Sequence, residues 1–325
     1  MLINNNFIDF SNLGGFDKDT EVLTPSGWIK LSDYIGDQLV MKYDPSDNSG
    51  SFSKPVYFGK RENNYFWSIK GDSSGLDQLL CEENKLLVYN KKSDHYKIYN
   101  MSPTDLLNRR SLKKGYYRFN TCFNIKSEGI PIEDDWIRLE VMIQADGRVK
   151  KRKTGFNFVE LHFKRTRKIE RARYLLNKLS ISYKEYIVKD GSTYFSFRVP
   201  INITKELSKY YNANYDQLKI ISEECLLWDG YSGYRSSYSS TNKSNIDLIQ
   251  FSFISTNTRA SIYTSYPKNL SWNVQYNVIP TRNNLVGYFN YPEKISSVGE
   301  FRYSIITDTG YILCRRNGYT FISGL

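Results

Sequence analysis

The chain has 325 residues, of which 40% are hydrophobic and 24% charged, and its formal net charge is +11. This composition is typical of a folded globular protein and excludes a disordered chain, and the length predicts two domains. No apolar run reaches the ~18 residues of a membrane helix, and the N-terminus lacks a secretory-signal pattern. The four cysteines have no CxxC spacing, which predicts reduced thiols rather than a zinc site or disulfides. We therefore expect a cytoplasmic protein.

The two ends of the chain have the same β-rich style. Residues 16–125 contain short alternating segments separated by turn signals, and TDLLN is their one helical segment. Residues 297–325 return to this pattern, with breaks at Thr309-Gly310 and Asn317-Gly318 that predict hairpins. The shared style indicates one β domain interrupted by an insertion.

The middle of the chain opens with a helical segment, DDWIRLEVMIQADG. Its residues Trp136, Leu139 and Ile143 recur at the spacing of one helical face. Two strand-like segments, RVKKRK and FNFVELHFKR, precede a second helical pattern, TRKIERARYLLNKL. A hairpin is predicted around Asp190-Gly191, and ITKELSKYY reads as a closing helix.

The same order of elements then occurs again. DQLKIISEECLLWDG has a helical face and ends, like the first helix, in Asp-Gly. It is followed by strand-like YSGYRSSYSS, helical KSNIDLIQFSFI, and the strands TRASIYTS and SWNVQYNV. Two successive units of helix-strand-strand-helix-strand-strand predict an internal duplication.

Positive charge is concentrated in the first of these units. Between Trp136 and Ser180 there are thirteen Lys and Arg residues against four acids, an excess of nine. Such a patch is typical of a surface that binds a phosphate backbone.

Both repeated helices end in an acid followed by glycine, at Asp146-Gly147 and Asp229-Gly230. The glycines suit a left-handed helix end, and an acid there faces the negative end of the helix dipole. A cation between the two carboxylates would compensate. Mg²⁺ binds one or two carboxylates together with water and phosphate oxygens, and it promotes phosphodiester hydrolysis. The alternative is a pair of ordinary helix-capping turns.

The motifs LEVMIQADG (139–147) and SEECLLWDG (222–230) resemble those of the LAGLIDADG homing endonucleases in their single-chain, two-motif form. The resemblance implies a monomer with pseudo-two-fold symmetry that cuts double-stranded DNA with Mg²⁺. It implies metal binding at Asp146 and Asp229, with their preceding residues Ala145 and Trp228 as further contacts. The family has a packing glycine where this chain has Val141 and Glu224, and a buried Glu224 would need a partner.

The resemblance also implies a basic residue that supports the attacking water. Lys153 and Lys243 are our candidates for this catalytic role, although spacing does not separate them from Lys150, Lys151 or Lys268. We expect DNA contacts from a basic set: Arg148, Lys150, Lys151, Arg152, Lys153, Lys164, Arg165 and Arg235. Four tyrosines face either DNA or the strand packing: Tyr186, Tyr194, Tyr234 and Tyr238.

The β-rich ends resemble inteins, the self-splicing proteins of the Hint fold. The matching stretches are GFDKDTEVLTPSGWIKLSDY (15–34), CEEN (81–84) and YSIITDTGYILCRRNGYTFISG (303–324). Gly15, Asn84 and Leu325 stand where the resemblance places the nucleophile, the catalytic His and the terminal Asn. None has the required chemistry, because glycine offers no nucleophile, Asn cannot protonate a leaving amine and Leu cannot cyclise.

We predict an α+β fold in which a discontinuous all-β Hint-like domain carries an inserted, duplicated αββαββ LAGLIDADG endonuclease domain. The predicted boundaries are a leader at 1–14, Hint-like parts at 15–128 and 293–325, and the endonuclease domain at 129–292. The predicted function is a splicing-inactive, metal-dependent, site-specific DNA endonuclease of intein origin from a phage or bacterium. The alternatives are a DNA-binding protein without catalysis and residual protein processing.

Overall fold

The computed structural model describes residues 13–71, 75–92, 95–109, 116–151, 155–231, 236–267, 269, 271, 273–281, 283–287 and 289–325. The chain divides into two compact units. Unit 1 comprises the described residues up to Thr24 together with Trp28–Thr121 and Leu285–Leu325, and unit 2 comprises Pro25–Gly27 and Cys122–Asn284. The sequence places the corresponding domain boundaries after residues 128 and 292. The mixed α+β character predicted from the sequence is confirmed.

The elements of the described chain follow in order. The strands before the middle region are β1 (Glu21–Thr24), β2 (Gly27–Lys30), β3 (Val40–Asp44), β4 (Ser49–Ser53), β5 (Tyr57–Gly71), β6 (Leu76–Leu80), β7 (Lys85–Lys92), β8 (His95–Met101), β9 (Tyr117–Asn120) and β10 (Asn124–Ile125), with α1 (Pro103–Leu107) after β8. The first repeat contains α2 (Asp134–Asp146), β11 (Arg148–Lys150), β12 (Phe156–Phe163), α3 (Thr166–Lys178), β13 (Tyr183–Ile187) and β14 (Thr193–Pro200). The second contains α4 (Tyr215–Leu227), β15 (Gly230–Tyr231), β16 (Ser237–Ser240), α5 (Lys243–Ile254), β17 (Arg259–Ser265) and β18 (Gln275–Thr281). The last strands are β19 (Leu285–Val286), β20 (Glu293–Ile306), β21 (Tyr311–Arg316) and β22 (Tyr319–Gly324).

Unit 1 is built from two sheets around an apolar core. The larger sheet follows the path β4-β3-β21-β22-β7-β9-β19, with β1 on β21 and β8 on β7. The smaller sheet has the order β20-β5-β6. Both chain segments of the unit contribute to the core, which includes Phe16, Val22 and Val40 from the first and Ile312 and Phe321 from the second.

One of the two hairpins predicted near the C-terminus is present. Asn317 and Gly318 both have positive φ, 49° and 82°, and the flanking β21 and β22 pair in antiparallel register. The prediction at Thr309-Gly310 was wrong, because β20 pairs with the distant β5 and not with β21. A local turn signal carries no information on which strand lies beside the one it ends.

The two repeats of unit 2 have the same topology. The first forms a sheet with the order β11-β12-β14-β13, and the second a sheet with the order β15-β16-β18-β17. The motif helices α2 and α4 pack against each other. The repeated order of elements predicted from the sequence is thus present, and each motif helix stands at the same place in its half.

The predicted helix ITKELSKYY is replaced by a 3₁₀ helix over Ser208–Asn212. The side chain of the buried Asn245 forms hydrogen bonds with backbone groups just before this 3₁₀ helix. Its Oδ1 accepts from the Leu207 amide at 3.0 Å, and its Nδ2 donates to the Lys205 carbonyl at 2.8 Å. These bonds occupy backbone groups that a continuous helix would need.

Candidate active site at the ends of the motif helices

Asp146 and Asp229 face one cavity in unit 2. Asp146 is the last residue of α2, and Asp229 lies two residues beyond the end of α4. The cavity has a volume of about 490 Å³. Its lining consists of Asp146, His162, Phe163, Lys164, Arg165, Lys168, Trp228, Asp229, Gly230, Ser237 and Ser239. The equivalent ends of the two motif helices therefore supply two carboxylates to a single site.

Lys168 bridges these carboxylates. It is the third residue of α3, and its side chain is only 12% exposed. Its Nζ lies 2.6 Å from Asp146 Oδ2 and 3.3 Å from Asp229 Oδ1. The ammonium also lies 5.9 Å from the centre of the Phe163 ring. Lys168 was not among the lysines predicted for the catalytic role, because those candidates were taken from the segment after the first motif and from the second half.

Burial raises the pKa of the Asp146 carboxyl above its ordinary value of 3.8. The charge of Asp229 raises that pKa further, and the hydrogen bond from Lys168 opposes both effects. Burial and the neighbouring Asp229 thus disfavour the charged form of Asp146, and a cation beside Asp146 favours that form.

The glycines after the two acids are needed for close packing. We expected a left-handed backbone, but Gly147 has φ −81°, and Gly230 is not among the glycines of positive φ. A Cβ at Gly147 would lie 2.6 Å from the Ile143 carbonyl oxygen, and one at Gly230 would lie 2.3 Å from Leu226 Cα. The chain turns back so tightly over the last helical turn that no side chain fits there.

Glu224, which stands at the packing position of the second motif, has the partner that its burial requires. Its side chain is 3% exposed and forms a two-point ion pair with Arg171 of α3, in which Nε lies 3.0 Å from Oε1. The indole Nε1 of Trp228 donates to the same carboxylate at 2.9 Å. Trp228 is itself buried and its ring lies 5.6 Å from that of Phe163. The bulky residues of the second motif are therefore packed and satisfied.

The donor set suits a divalent cation of the Mg²⁺ type. No group of three or more His, Cys, Asp and Glu side chains able to hold a metal ion occurs in the described part of the chain. Mg²⁺ is bound in proteins through one or two carboxylates plus water and substrate oxygens. Asp146 and Asp229 already hold one cationic group between them, the Lys168 ammonium. Trp228 lines the same cavity, and Ala145 precedes Asp146 at a half-buried position.

The predicted basic residues have different positions. Lys164 and Arg165 line the cavity, and Arg148 and Lys151 are exposed around β11. Lys150 forms an ion pair with Glu160 at 2.6 Å. Arg152, Lys153, Arg235 and Lys268 lie outside the described residues.

Lys243, one of the two candidates for the catalytic lysine, does not line the cavity. It begins α5, and its Nζ bonds Asp247 at 2.6 Å, one turn along the same helix. The spacing of charges one turn apart on a helix explains this pairing.

The tyrosines divide between surface and core. Tyr194 lies between His162 and Tyr186 in ring contact with both, at centre distances of 4.8 Å to His162 and 4.7 Å to Tyr186. Tyr238 is fully buried and donates to Gln144 Oε1 at 2.6 Å, so it belongs to the core and not to a DNA-facing surface. Tyr234 lies outside the described residues.

The three positions marked by the intein resemblance meet in unit 1. The Gly15 amide donates to Asn84 Oδ1 at 2.8 Å, and Asn84 Nδ2 lies 3.3 Å from the Gly324 carbonyl oxygen. A Cβ at Gly14 would lie 2.8 Å from the Asn84 nitrogen and 2.9 Å from Leu325 Cδ2. Residues near both chain ends therefore surround Asn84.

No helix in the described ranges is both long and apolar enough to cross a membrane.

Comparison with known proteins gives partial resemblances. No family model matches the chain. The chain is 24% identical over 274 residues to the ribonucleoside-diphosphate reductase subunit beta of Aquifex aeolicus, and the match covers 72% of this chain and 39% of that protein.

Among solved structures, variants of the homing endonuclease I-DmoI match 46% of this chain and 89% of their own, with 15% identity and a TM-score of 0.34. The N-terminal LAGLIDADG domain of DUF199/WhiA matches 47% of this chain and 80% of its own, with 12% identity and a TM-score of 0.35. At these levels the matches describe resemblance alone.

Proposed function

We propose that this protein is a metal-dependent DNA endonuclease of the LAGLIDADG type, whose active site lies between the ends of α2 and α4. The observation that carries the proposal is the meeting of Asp146, Asp229 and Lys168 in one cavity. Two equivalent acids of a duplicated unit supply the carboxylates, and a helix of the first half supplies the ammonium. The motif resemblance and the basic residues at the cavity support the same function.

Each group has a definite chemical part in this proposal. Asp146 and Asp229 would hold Mg²⁺, which would supply a bound water of lowered pKa and positive charge for the leaving oxygen of a phosphodiester. Lys168 donates hydrogen bonds from Nζ to the attacking water or to a phosphate oxygen, where it offsets developing negative charge. Lys164 and Arg165, at the cavity, draw the phosphate backbone toward these groups.

The test is cleavage of plasmid DNA by the wild type and by the Asp146→Asn and Asp229→Asn variants, with Mg²⁺ and with a chelator. We expect the wild type to cut only with Mg²⁺ and each variant to lose cutting. Asp216→Asn is the matched control, because Asp216 is an exposed acid in the first turn of α4. Undiminished cutting by either active-site variant would overturn the assignment. DNA binding by the wild type without nicking would make the protein a binding module.

We also propose that unit 1 has the Hint fold and that it does not splice. The meeting of Gly15, Asn84 and Leu325 supports the fold, and the chemistry of these residues argues against splicing. The surroundings of Gly15, the position of the nucleophile in inteins, leave no room for a side chain, since a Cβ there would lie 2.9 Å from the Tyr303 carbonyl oxygen. Mass spectrometry of the expressed chain should give the intact 38.1 kDa species, and shorter products from breakage near Gly15 would contradict the proposal.

A further inference from the structure

The two sheets of unit 2 each have one face packed on helices and one face turned away from them, which we call the outer face. In the first sheet Val159 and Phe197 are directly opposite each other and buried. Residues alternate between faces along a strand, so their neighbours Phe158, Glu160, Ser196 and Arg198 belong to the outer face.

The outer face of the first sheet is cationic. Across the sheet, Arg148 pairs with Glu160, Glu160 with Ser196, and Ser196 with Lys184. The next row joins Lys150, Phe158 and Arg198. Arg148, Lys184 and Arg198 are exposed, and the single acid in these rows is paired with Lys150.

The outer face of the second sheet is polar but uncharged over its exposed part. Tyr238, Val278 and Ile262 form the buried row, so the outer rows hold Ser239, Asn277 and Tyr263, and beyond them Gln275 and Ser265. In the described part of this sheet, charge occurs on that face only at its far end, where Arg259 lies. Arg259 is half-buried, and burial lowers the pKa of its guanidinium.

Both outer faces reach the cavity that holds Asp146 and Asp229. His162, which follows Glu160 on the outer face of β12, lines the cavity from the first sheet. Ser237 and Ser239 line it from the second. A duplex whose scissile bond lay over the two acids would therefore meet a cationic face on one side and, among the residues that the structure describes there, an uncharged face on the other.

We propose that the two sheets recognise the two halves of one DNA site by different chemistry. The first sheet binds mainly through phosphate charge, and the second mainly through uncharged hydrogen bonds to bases, with adenine opposite Asn277 and Gln275. The inference rests on the proposed DNA-binding function and adds the way in which the target is read.

Asn277 is held in a fixed orientation for this role. Its Oδ1 accepts from Ser239 Oγ at 2.6 Å, and its Nδ2 donates to Ser265 Oγ at 3.1 Å. An amide oxygen accepts two hydrogen bonds and an amide nitrogen donates two, so each atom keeps one further site. An acceptor and a donor side by side match N6 and N7 of adenine in the major groove. Gln275 is exposed on the same face and carries the same pair of groups.

The first arm of the test measures the salt dependence of binding to a labelled duplex of random sequence, in chelator. Each lost phosphate contact lowers the slope of log affinity against log salt by about 0.9. In the variant that combines Arg148→Gln, Lys184→Gln and Arg198→Gln, we expect the magnitude of this slope to fall by about two to three. The Asn277→Ala and Gln275→Ala variant should keep the wild-type slope. Lys178→Gln, which removes an exposed charge near the end of α3, is the control for net charge.

The second arm selects bound sequences from a fully randomised duplex library. We expect wild-type sites to prefer adenine about fivefold or more at positions in one half only. The Asn277→Ala and Gln275→Ala variant should lose that preference and keep the other half unchanged. Equal loss of slope in both sets of variants, or unchanged base preference, would overturn the inference. Absence of any DNA binding by the wild type would instead overturn the proposed function.

Discussion

Lys168 is the residue on which the proposed chemistry depends most. Its substitution in Lys168→Met should reduce cleavage about a hundredfold or more, as loss of a positioned hydrogen-bond donor to a developing negative charge does. DNA affinity should change little, because Lys164 and Arg165 stay at the cavity. The measurement is single-turnover cleavage beside a binding titration in chelator.

Lys178→Met serves as the control, since Lys178 belongs to the same helix and is exposed. Equal loss of cleavage in both variants would assign the effect to charge or to helix stability. Full cleavage by Lys168→Met would remove Lys168 from the proposed mechanism.

We expect the buried carboxyl of Glu140 to make the stability of unit 2 depend on pH. It is fully buried in α2, where it accepts from the Tyr210 hydroxyl at 2.8 Å and pairs with Lys209. Burial raises its pKa above the ordinary value of 4.5, and the bonds from Lys209 and Tyr210 oppose this only in part. The charged form therefore costs stability above the folded pKa, and protonation removes that cost as the pH falls through it.

We expect Glu140→Gln to raise the melting temperature at neutral pH, because the amide can still accept from Tyr210. Its advantage over the wild type should shrink as the pH falls toward 4.5. Thermal unfolding across that range is the measurement. An advantage that grows on acidification would show that the buried charge is a net stabiliser.

At the scale of elements, helix α3 of the first half contributes three basic side chains that bond groups at the C-terminal end of α4. Arg167 donates to the Leu227 carbonyl, Lys168 bonds Asp229 and Arg171 bonds Glu224. Positive groups at a helix C-terminus offset both its unpaired carbonyls and the negative end of its dipole. One basic helix thus holds the second motif in place.

Arg171→Met should destabilise the protein by about 3 kcal/mol, because it leaves the nearly inaccessible Glu224 charge without its ion pair. Adding Glu224→Gln should restore most of the loss, since the charge is gone and the amide oxygen still accepts from Trp228. Chemical denaturation of the single and double variants measures this. A double variant no better than Arg171→Met would show that the packing of Arg171, and not its charge, is what matters.

The elements were predictable where their signal is local. The apolar period of KSNIDLIQFSFI, with Asn242 before it, gives α5 its bounds of Lys243–Ile254. The helix predicted around Leu207 was wrong because the Asn245 side chain binds the Leu207 amide in place of a helical hydrogen bond. Asn245 lies 38 residues away in sequence, so no local pattern shows this contact. The partner of β20 was missed for the same reason, since β5 is distant in sequence.

The candidate site shows the same limit. Asp146 and Asp229 could be found because a repeated motif marks them. Lys168 carries no motif, and only the packing of α3 places it between the two carboxylates. Long-range packing, rather than any pattern of neighbouring residues, decides which of many lysines reaches the site.

At the scale of the whole molecule, the cysteines behave as apolar side chains. All four are buried and none forms a disulfide: Cys81, Cys122, Cys225 and Cys314. Burial raises the pKa of Cys81 to about 12 and that of Cys314 well above 9.0. Neutral thiols without solvent access react slowly.

The native protein should therefore show almost no reaction with a thiol reagent, and all four groups should react in denaturant. A reducing agent should leave the melting temperature unchanged. Fast labelling of the native protein would show local opening around one of these residues. A melting temperature that falls on reduction would reveal a disulfide.

The two halves of unit 2 differ at the third residue of their second helix. The first half has Lys168 there, while the second has Asn245, whose side chain is occupied with the backbone of Lys205 and Leu207. Among the described residues, Lys168 supplies the one ammonium that bridges the two carboxylates. In the proposed nuclease this ammonium would serve two scissile bonds, so the strands would be hydrolysed in succession and not together. Nicked circles should then accumulate before linear DNA appears, and the strand broken first should be the same one in every encounter.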